Sequence, residues 1–179
     1  MCGYKKIRQE LAYKGKIVDF YRDYIQLPNG KEVEWDYVSH NGAAAILPVD
    51  EEGKIIMVRQ YRNTLDRETL EIPAGGINND EQNPGEAALR ELEEETGYVA
   101  NKAHHLSSII TAIGFSNEIV HLYWTKVTKK TQQNLDEDEF INIQKYTLEE
   151  LIEMIMTGRI IDAKTIAAIF MYQQLKHSI

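Results

Sequence analysis

The segment from Asn83 to Gly97 restricts the fold of this sequence most, because local signals mark both the start and the end of one helix. Asn83 can accept a hydrogen bond at the N-cap, and Pro84 suits the first helical position. Gly97 can adopt the left-handed conformation that ends a helix. The apolar positions of this helix lie on one stripe, so we expect it to pack on a sheet.

Short apolar runs on both sides of this helix predict the strands of that sheet. They are residues 16–21, 31–38, 43–49, 55–58, 69–72, 106–112, 119–127 and 140–146. Near the C-terminal end, Thr147 with Glu150 predicts a helix that ends near Gly158, and Asp162 can cap another. Strands with helices between and after them are typical of an α+β or layered α/β/α domain. We expect a small N-terminal antiparallel sheet in residues 1–41 and the main domain in residues 42–179.

Composition excludes several classes of protein. The chain has 179 residues, of which 43% are apolar, and no apolar run approaches the roughly 20 residues of a membrane span. A net charge of −8 argues against a nucleic-acid-binding protein, which presents a basic surface. The lone Cys2 argues against a disulfide framework or a thiolate zinc site. The first residues do not have the apolar stretch of a secretory signal, so we expect a cytoplasmic protein.

The helix carries an unusual group of acidic side chains. At about 100° per residue, Glu91 and Glu95 lie one turn apart beside the apolar stripe, and Glu94 lies next to them. Glu93 points to the opposite side, and Arg90 can form an ion pair with Glu94. Like charges at the edge of a core are unfavourable unless they are neutralised, and Mg²⁺ prefers oxygen ligands of this kind. A metal site is one interpretation, and a solvated acidic helix face is the other.

The spacing of the residues around this acidic group distinguishes the metal site from the solvated helix face. Five residues separate Gly76 from Gln82, and seven more precede the run Arg-Glu-Leu-Glu-Glu-Glu-Thr-Gly-Tyr at residues 90–98. This pattern resembles the signature of the Nudix hydrolases, which cleave a nucleoside diphosphate linked to another moiety. The resemblance implies a Nudix-type α/β/α sandwich for residues 42–179. Gln82 stands where the family has its first glutamate, which we expect to tune activity without abolishing it.

Other segments resemble the ADP-ribose pyrophosphatases within this family. They are Val-Arg-Gln-Tyr-Arg at 58–62, Leu-Glu-Ile-Pro-Ala-Gly-Gly at 70–76, Gly-Phe-Ser-Asn-Glu at 114–118, Asp-Glu-Asp-Glu-Phe at 136–140 and Asp-Ala-Lys-Thr at 162–165. The resemblance implies a homodimer in which the N-terminal sheet is exchanged between subunits. Ile113 is a departure, because ADP-ribose enzymes usually carry a proline at this position that distinguishes them from their relatives.

The resemblance also assigns the metal and catalytic residues. It implies that Glu91, Glu94, Glu95 and the backbone carbonyl of Ala74 hold Mg²⁺, with Mn²⁺ as a substitute. Members of the subfamily carry a glutamate that positions or deprotonates the attacking water. It lies in a polar loop, which corresponds here to residues 129–138 and the residues just after them. Glu137 and Glu139 both fit that role, and the sequence does not distinguish them. Glu94 is a further candidate for a catalytic carboxylate.

Arginine and aromatic side chains are the candidates for substrate contacts. The planar fork of Arg matches phosphate oxygens, and we expect Arg62, followed by Arg59, to contact the diphosphate. The alternative for both is surface pairing with Asp66 or Glu68. Trp35, with Asp36 beside it, lies where some ADP-ribose pyrophosphatases stack a Trp on adenine. Packing at a dimer interface is the alternative for Trp35.

The sequence therefore predicts a Mg²⁺-dependent pyrophosphohydrolase that cleaves ADP-ribose or a similar nucleoside diphosphate sugar to AMP and a sugar phosphate. NADH and dinucleoside polyphosphates are alternative substrates, and a non-catalytic ADP-ribose sensor is an alternative of another class. The intact carboxylates of the helix favour the enzyme. Its expected partners are a small nucleotide-sugar molecule and a second copy of the chain, with no nucleic acid and no membrane.

Overall fold

The computed structural model describes residues 3–78 and 83–177. The predictions made for Cys2 and Gln82 therefore lie outside the described residues. The chain divides into two compact units, which we describe separately. One contains the residues up to Gly42 together with Ile110–Ile119, and the other contains Ala43–Ile109 and the residues from Val120 onward.

The first unit contains an antiparallel sheet of β1 (Lys5–Lys14), β2 (Asp19–Gln26) and β3 (Glu32–Ser39), in that order. A turn in which the Gly30 amide donates to the Leu27 carbonyl at 2.9 Å connects β2 to β3, and β2 begins and ends later than the predicted run at 16–21. The strand β1 was not predicted, because all of its residues are exposed and no buried face imposes an alternating pattern.

The second unit contains a seven-stranded mixed sheet. Its strands are β4 (Ala43–Val49), β5 (Ile55–Arg62), β6 (Arg67–Glu71), β7 (Ala74–Gly76), β9 (His104–Ile110), β10 (Ile119–Lys126) and β12 (Asn142–Tyr146). The order is β12-β5-β4-β10-β9, with β6 paired to β5 and β7 paired to β4. The short strands β8 (Tyr98–Val99) and β11 (Lys129–Lys130) pair separately, and two residues are too few for a recognisable pattern.

The helices of the described residues are α1 (Pro84–Thr96), α2 (Leu148–Met156) and α3 (Ala163–His177). Their predicted caps are present. The Asn83 side chain accepts from the Gly85 amide at 2.9 Å, Thr147 forms a reciprocal capping box with Glu150, and Asp162 accepts from the Thr165 amide at 3.0 Å. In the described ranges, no helix combines the length and the apolar character needed to cross a membrane.

Alternation along the central strand β4 divides the core into two layers. Ala45, Leu47 and Val49 lie in the apolar cluster that includes α2 and α3 residues, whereas Ala44 and Ile46 lie in the cluster that includes α1 residues. Because successive side chains of a strand point to opposite faces, one apolar strand packs on helices from both sides. The predicted layered α+β fold is confirmed.

Between β6 and β7 the chain crosses from β5 to β4, and this crossing places the candidate site. β6 pairs with β5 as far as Glu71, opposite Val58. From Ala74 onward the chain pairs instead with β4, with Ala74 opposite Ala45. The Pro73 carbonyl accepts from the Ile46 amide at 2.9 Å, so β7 is held against the middle of the sheet.

Candidate functional site

Ion pairs connect the acidic side chains of α1. Arg90 donates from Nη1 to the carboxylates of Glu91 and Glu94, at 2.7 Å in each case. Its Nη2 also donates to the carbonyl of Gly76 in β7 at 3.0 Å. The guanidinium therefore neutralises two carboxylates and connects the helix to β7. A cation bound between these carboxylates would have to replace contacts of Arg90.

Glu95 lies deeper than the other acidic residues of α1. It is 3% exposed, and its Oε2 accepts a hydrogen bond from the Ala74 amide at 3.2 Å. Burial, followed by the nearby charges of Glu91 and Glu139, raises the pKa of Glu95 to about 8. Burial also raises the pKa of Glu91. Both carboxylates are costly to ionise here, which favours any neighbour that supplies positive charge.

Gly75 is a site residue that the sequence pattern did not single out. A Cβ at this position would overlap the carboxylate of Glu91, whereas a Cβ at Gly76 would meet nothing within 4 Å. Residue 75 must therefore be a glycine to leave room for the Glu91 carboxylate. The Gly-Gly pair was visible in the sequence, but only the structure shows which glycine faces the carboxylate.

The polar loop after β11 is attached to the C-terminal end of α1. The Gln133 side chain donates to the Glu95 carbonyl at 2.7 Å, and the Asn134 amide donates to the Glu94 carbonyl at 2.9 Å. The last carbonyls of a helix have no partners within it, so the loop satisfies groups that would otherwise need water. A turn then joins the Glu139 amide to the Asp136 carbonyl at 3.0 Å and directs this segment towards the site.

These elements enclose an acidic cavity of about 280 Å³. Its lining comes from β7, α1 and the loop. The residues are Ala74, Gly75, Gly76, Asn78, Arg90, Glu91, Glu94, Asn134, Asp136 and Glu139. Glu139 lines the cavity and Glu137, which is exposed, does not. The structure thus brings Glu91, Glu94, Glu139 and Ala74 together.

The donor set of this cavity suits a hard divalent cation. Carboxylates of Glu91, Glu94, Asp136 and Glu139 and the backbone of Ala74 supply oxygen atoms, which Mg²⁺ prefers. Among the described residues, no three His, Cys, Asp or Glu side chains already stand in a metal-binding arrangement. The Glu91 and Glu94 carboxylates are each paired with the Arg90 guanidinium, at 2.7 Å.

Arg62 is engaged by a buried carboxylate. Its Nε and Nη2 donate to Oε1 and Oε2 of Glu71 at 2.8 and 2.7 Å. Glu71 also accepts from Thr69 at 2.6 Å and from Lys164. Burial alone would raise the pKa of Glu71, but these donors outweigh it and hold that pKa at about 2. Arg62 therefore pairs with Glu71, and not with Asp66 or Glu68 as the surface alternative assumed.

Arg59 lies at a different cavity. Its Nε and Nη2 donate to Oε1 of Gln144 at 3.2 Å. The cavity that it lines measures about 440 Å³, also contains Arg67 and Arg159, and shares no lining residue with the acidic cavity. The structure does not bring Arg59 to the carboxylates of α1.

Trp35 and Asp36 belong to the first unit. The Trp35 side chain is 49% exposed on β3, with its ring centroid 6.0 Å from that of Tyr4. Asp36 is exposed, and its backbone lies opposite Arg22 of β2. A half-exposed aromatic ring has a free surface for a base or for another protein chain, so both interpretations of Trp35 stay open.

A glutamate-bearing helix packed against a glycine strand, with an acidic loop closing the cavity, is an arrangement suited to hydrolysis assisted by metal ions. The family model described as NUDIX domain matches residues 39–169, and the chain belongs to the Nudix hydrolase family. The predicted family and enzyme class are thereby confirmed. Members of this family generally use divalent metal ions.

Named relatives match nearly the whole chain. An ADP-ribose pyrophosphatase of Bacillus subtilis is 43% identical, and the match covers 98% of this chain and 95% of that one. A methanol dehydrogenase activator of Bacillus methanolicus is 41% identical with the same coverage. An ADP-ribose pyrophosphatase of Mycobacterium tuberculosis is 32% identical over 93% of this chain and 81% of its own length.

A solved structure supports the fold independently. The crystal structure of an ADP compounds hydrolase superposes with a TM-score of 0.87 at 19% sequence identity. The superposition covers 98% of this chain and 95% of that one. At this level of identity, the likeness concerns the arrangement of the elements.

Proposed function

We propose that this protein is a Mg²⁺-dependent pyrophosphohydrolase that cleaves the diphosphate of ADP-ribose, or of a similar nucleoside diphosphate sugar, to AMP and a sugar phosphate. The observation that carries the proposal is the acidic cavity, in which Glu91, Glu94 and Glu139 face the backbone of Ala74–Gly76. Relatives named ADP-ribose pyrophosphatase, 43% and 32% identical to this chain, support the choice of substrate.

Glu91, Glu94, Glu95 and the Ala74 carbonyl would hold the metal ions. Bound divalent ions would neutralise the diphosphate and make its phosphorus more electrophilic. Mn²⁺ prefers similar ligands and should substitute for Mg²⁺. The burial of Glu95 and its contact with the Ala74 amide keep this carboxylate in place before substrate arrives.

Glu139 is our candidate for the general base. It lines the cavity from the loop side, opposite α1, so its carboxylate can accept a proton from a water molecule between them. The water oxygen would form a bond to one phosphorus atom while the bridging P–O bond breaks. For ADP-ribose, the two products are AMP and ribose 5-phosphate.

Base recognition is assigned to the first unit. We propose that Trp35 stacks on adenine and that Asp36 contributes a polar contact. The half-exposed ring of Trp35 supports this assignment. Arg62 is retained as a phosphate contact because its guanidinium has further N–H groups beyond the two bound by Glu71. Arg59 is a weaker candidate, since it lines the other cavity.

We also propose that the protein is a homodimer in the cytoplasm. Exposed apolar side chains on the N-terminal sheet and next to its strands support the dimer, because a second copy would remove them from water. They are Tyr4, Ile7, Leu11, Tyr13, Ile17, Val18 and Trp35. Light scattering at micromolar concentration should give twice the mass of one chain, and the mass of one chain would contradict the dimer.

A substrate panel tests the proposed activity. ADP-ribose, another ADP-sugar, GDP-mannose, NADH and a dinucleoside polyphosphate should each be incubated with Mg²⁺ and with EDTA, and the products identified by mass spectrometry. We expect ADP-ribose to give AMP and ribose 5-phosphate fastest, with no product in EDTA. Faster cleavage of NADH or of the dinucleoside polyphosphate would show that this compound, and not ADP-ribose, is the preferred substrate.

A further inference from the structure

The Asp-Ala-Lys-Thr segment at the start of α3 contacts the chain next to the acidic cavity. Lys164 donates from Nζ to Glu71 and, at 3.0 Å, to Asp162. The hydroxyl of Thr165 accepts from the Ile72 amide at 3.0 Å and donates to the Asp162 carboxylate. Two consecutive residues, Glu71 and Ile72, are thus bound by the N-terminal end of a helix about 90 residues later in the chain.

These contacts occur where the strand changes its partner. β6 pairs with β5 up to Glu71, and β7 pairs with β4 from Ala74. The amide of Ile72 lies between the two ladders and is bonded to Thr165. Ile72 and Thr165 are both fully buried, so this amide would have no partner without the hydroxyl.

The position of Lys164 is unfavourable for a helix considered alone. A positive charge in the first turn opposes the helix dipole. Lys164 is the second residue of α3 and only 12% of its side chain is exposed. The carboxylates of Glu71 and Asp162 compensate for this cost. The lysine therefore serves the contact with β6 rather than the stability of α3.

We propose that Lys164 and Thr165 are positioning residues, which fix the crossing at Glu71–Ile72 and thereby place the Ala74 carbonyl for metal binding. The inference rests on the proposed function, because that carbonyl is one of its metal ligands. The rest of the crossing is already fixed from the other side, by the bonds from Ile46 to Pro73 and from Ala74 to Glu95. The contacts of α3 hold Glu71 and Ile72, just before Ala74, and loosening them should increase the motion of the segment that leads into Ala74.

The decisive variant is Thr165→Val, which removes the hydroxyl and keeps the shape. Thr165→Ser restores the hydroxyl and should rescue the effect. Thr125→Val is the matched control, because Thr125 is also buried and its hydroxyl donates to a backbone carbonyl, that of Lys102 at 2.7 Å. Lys164→Met provides an independent test in a side chain that is not fully buried.

Amide hydrogen exchange and Mn²⁺ binding measured by electron paramagnetic resonance give readouts that do not depend on turnover. In Thr165→Val and Lys164→Met, we expect exchange of the amides of Ile72 and of residues 74–76 to become about tenfold faster, the equivalent of one lost hydrogen bond. We expect Mn²⁺ affinity and kcat for ADP-ribose to fall several-fold while KM changes little. Thr165→Ser and Thr125→Val should match the wild type in these measurements.

Equal stability losses in Thr165→Val and Thr125→Val, with unchanged local exchange and Mn²⁺ affinity in both, would overturn the positioning role. Absence of Mn²⁺ binding and of hydrolysis in the wild type would overturn the proposed function instead. The exchange measurement separates these failures, because it reports on residues 72–76 without metal or substrate.

Discussion

Gly75 lies so close to Glu91 that a side chain at residue 75 would occupy the position of the Glu91 carboxylate. Gly75→Ala should displace that carboxylate, and a displacement of about 1 Å at a catalytic centre can cost about 10²-fold in rate. Gly76→Ala adds the same methyl group where nothing lies within 4 Å, so the rate of this variant should fall much less. Steady-state rates of both variants on ADP-ribose check this, and equal rates would contradict it.

The two loop glutamates should differ in catalysis. Glu139→Gln should lower kcat by about 10²- to 10⁴-fold, the usual contribution of a general base, because Glu139 lines the cavity. Glu137 is an exposed residue of the same loop and does not line the cavity, so Glu137→Gln should leave kcat nearly unchanged. If Glu137→Gln were the slower variant, the base would have to be reassigned.

Glu71 should support stability at neutral pH and lose that role in acid. Its pKa is lowered from 4.5 to about 2 in the folded protein. The folded state thus favours the ionised form, and the stabilisation is present above pH 4.5 and lost as the pH falls towards 2. The shift corresponds to about 3 kcal/mol at neutral pH.

Denaturant unfolding of Glu71→Gln checks this prediction. The variant should be less stable than the wild type at pH 7, and the difference should shrink as the pH falls below 4.5. Glu68→Gln, which changes an exposed residue of the same strand, provides the control. A difference between Glu71→Gln and the wild type that does not change with pH would show that the carboxylate charge is not the cause.

Trp35→Ala distinguishes base stacking from packing between subunits. If Trp35 stacks on adenine, its loss should weaken substrate binding by about 1–3 kcal/mol, mainly through KM. If it only packs at a dimer interface, dimer dissociation should increase while KM of the remaining dimer is unchanged. An unaltered KM would remove the stacking role from Trp35, and Tyr37 would be the next aromatic to test.

Local patterns were sufficient to predict much of the fold. The caps at Asn83, Gly97, Thr147 and Asp162 depend on neighbouring residues, so the sequence located the starts of the three helices and the end of α1. Likewise, the helical period of about 100° per residue predicts which face of α1 carries Glu91 and Glu95. The structure places both of these residues towards β7, whereas Glu93 is exposed.

Contacts distant in sequence could not be predicted in the same way. Glu71 binds Arg62 nine residues away and Lys164 ninety-three residues away, and no local pattern specifies such partners. The same is true of Gln133 and Asn134, which hold the loop on the end of α1 through backbone carbonyls. Only folding brings these residues together, so their contacts could be identified from the structure but not from the sequence.

The most direct test of the central claim compares Glu95→Gln with Glu93→Gln in the hydrolysis of ADP-ribose, with both variants at the same enzyme, substrate and Mg²⁺ concentrations. Glu95 is buried beside Ala74 and is one of the proposed metal ligands, whereas Glu93 is exposed on the same helix. We expect Glu95→Gln to lower kcat by at least about 10²-fold, because a charge that stabilises the transition state is removed, and Glu93→Gln to remain close to the wild type. Equal losses in the two variants, or full activity in Glu95→Gln, would contradict the assignment of this helix face to metal-dependent catalysis.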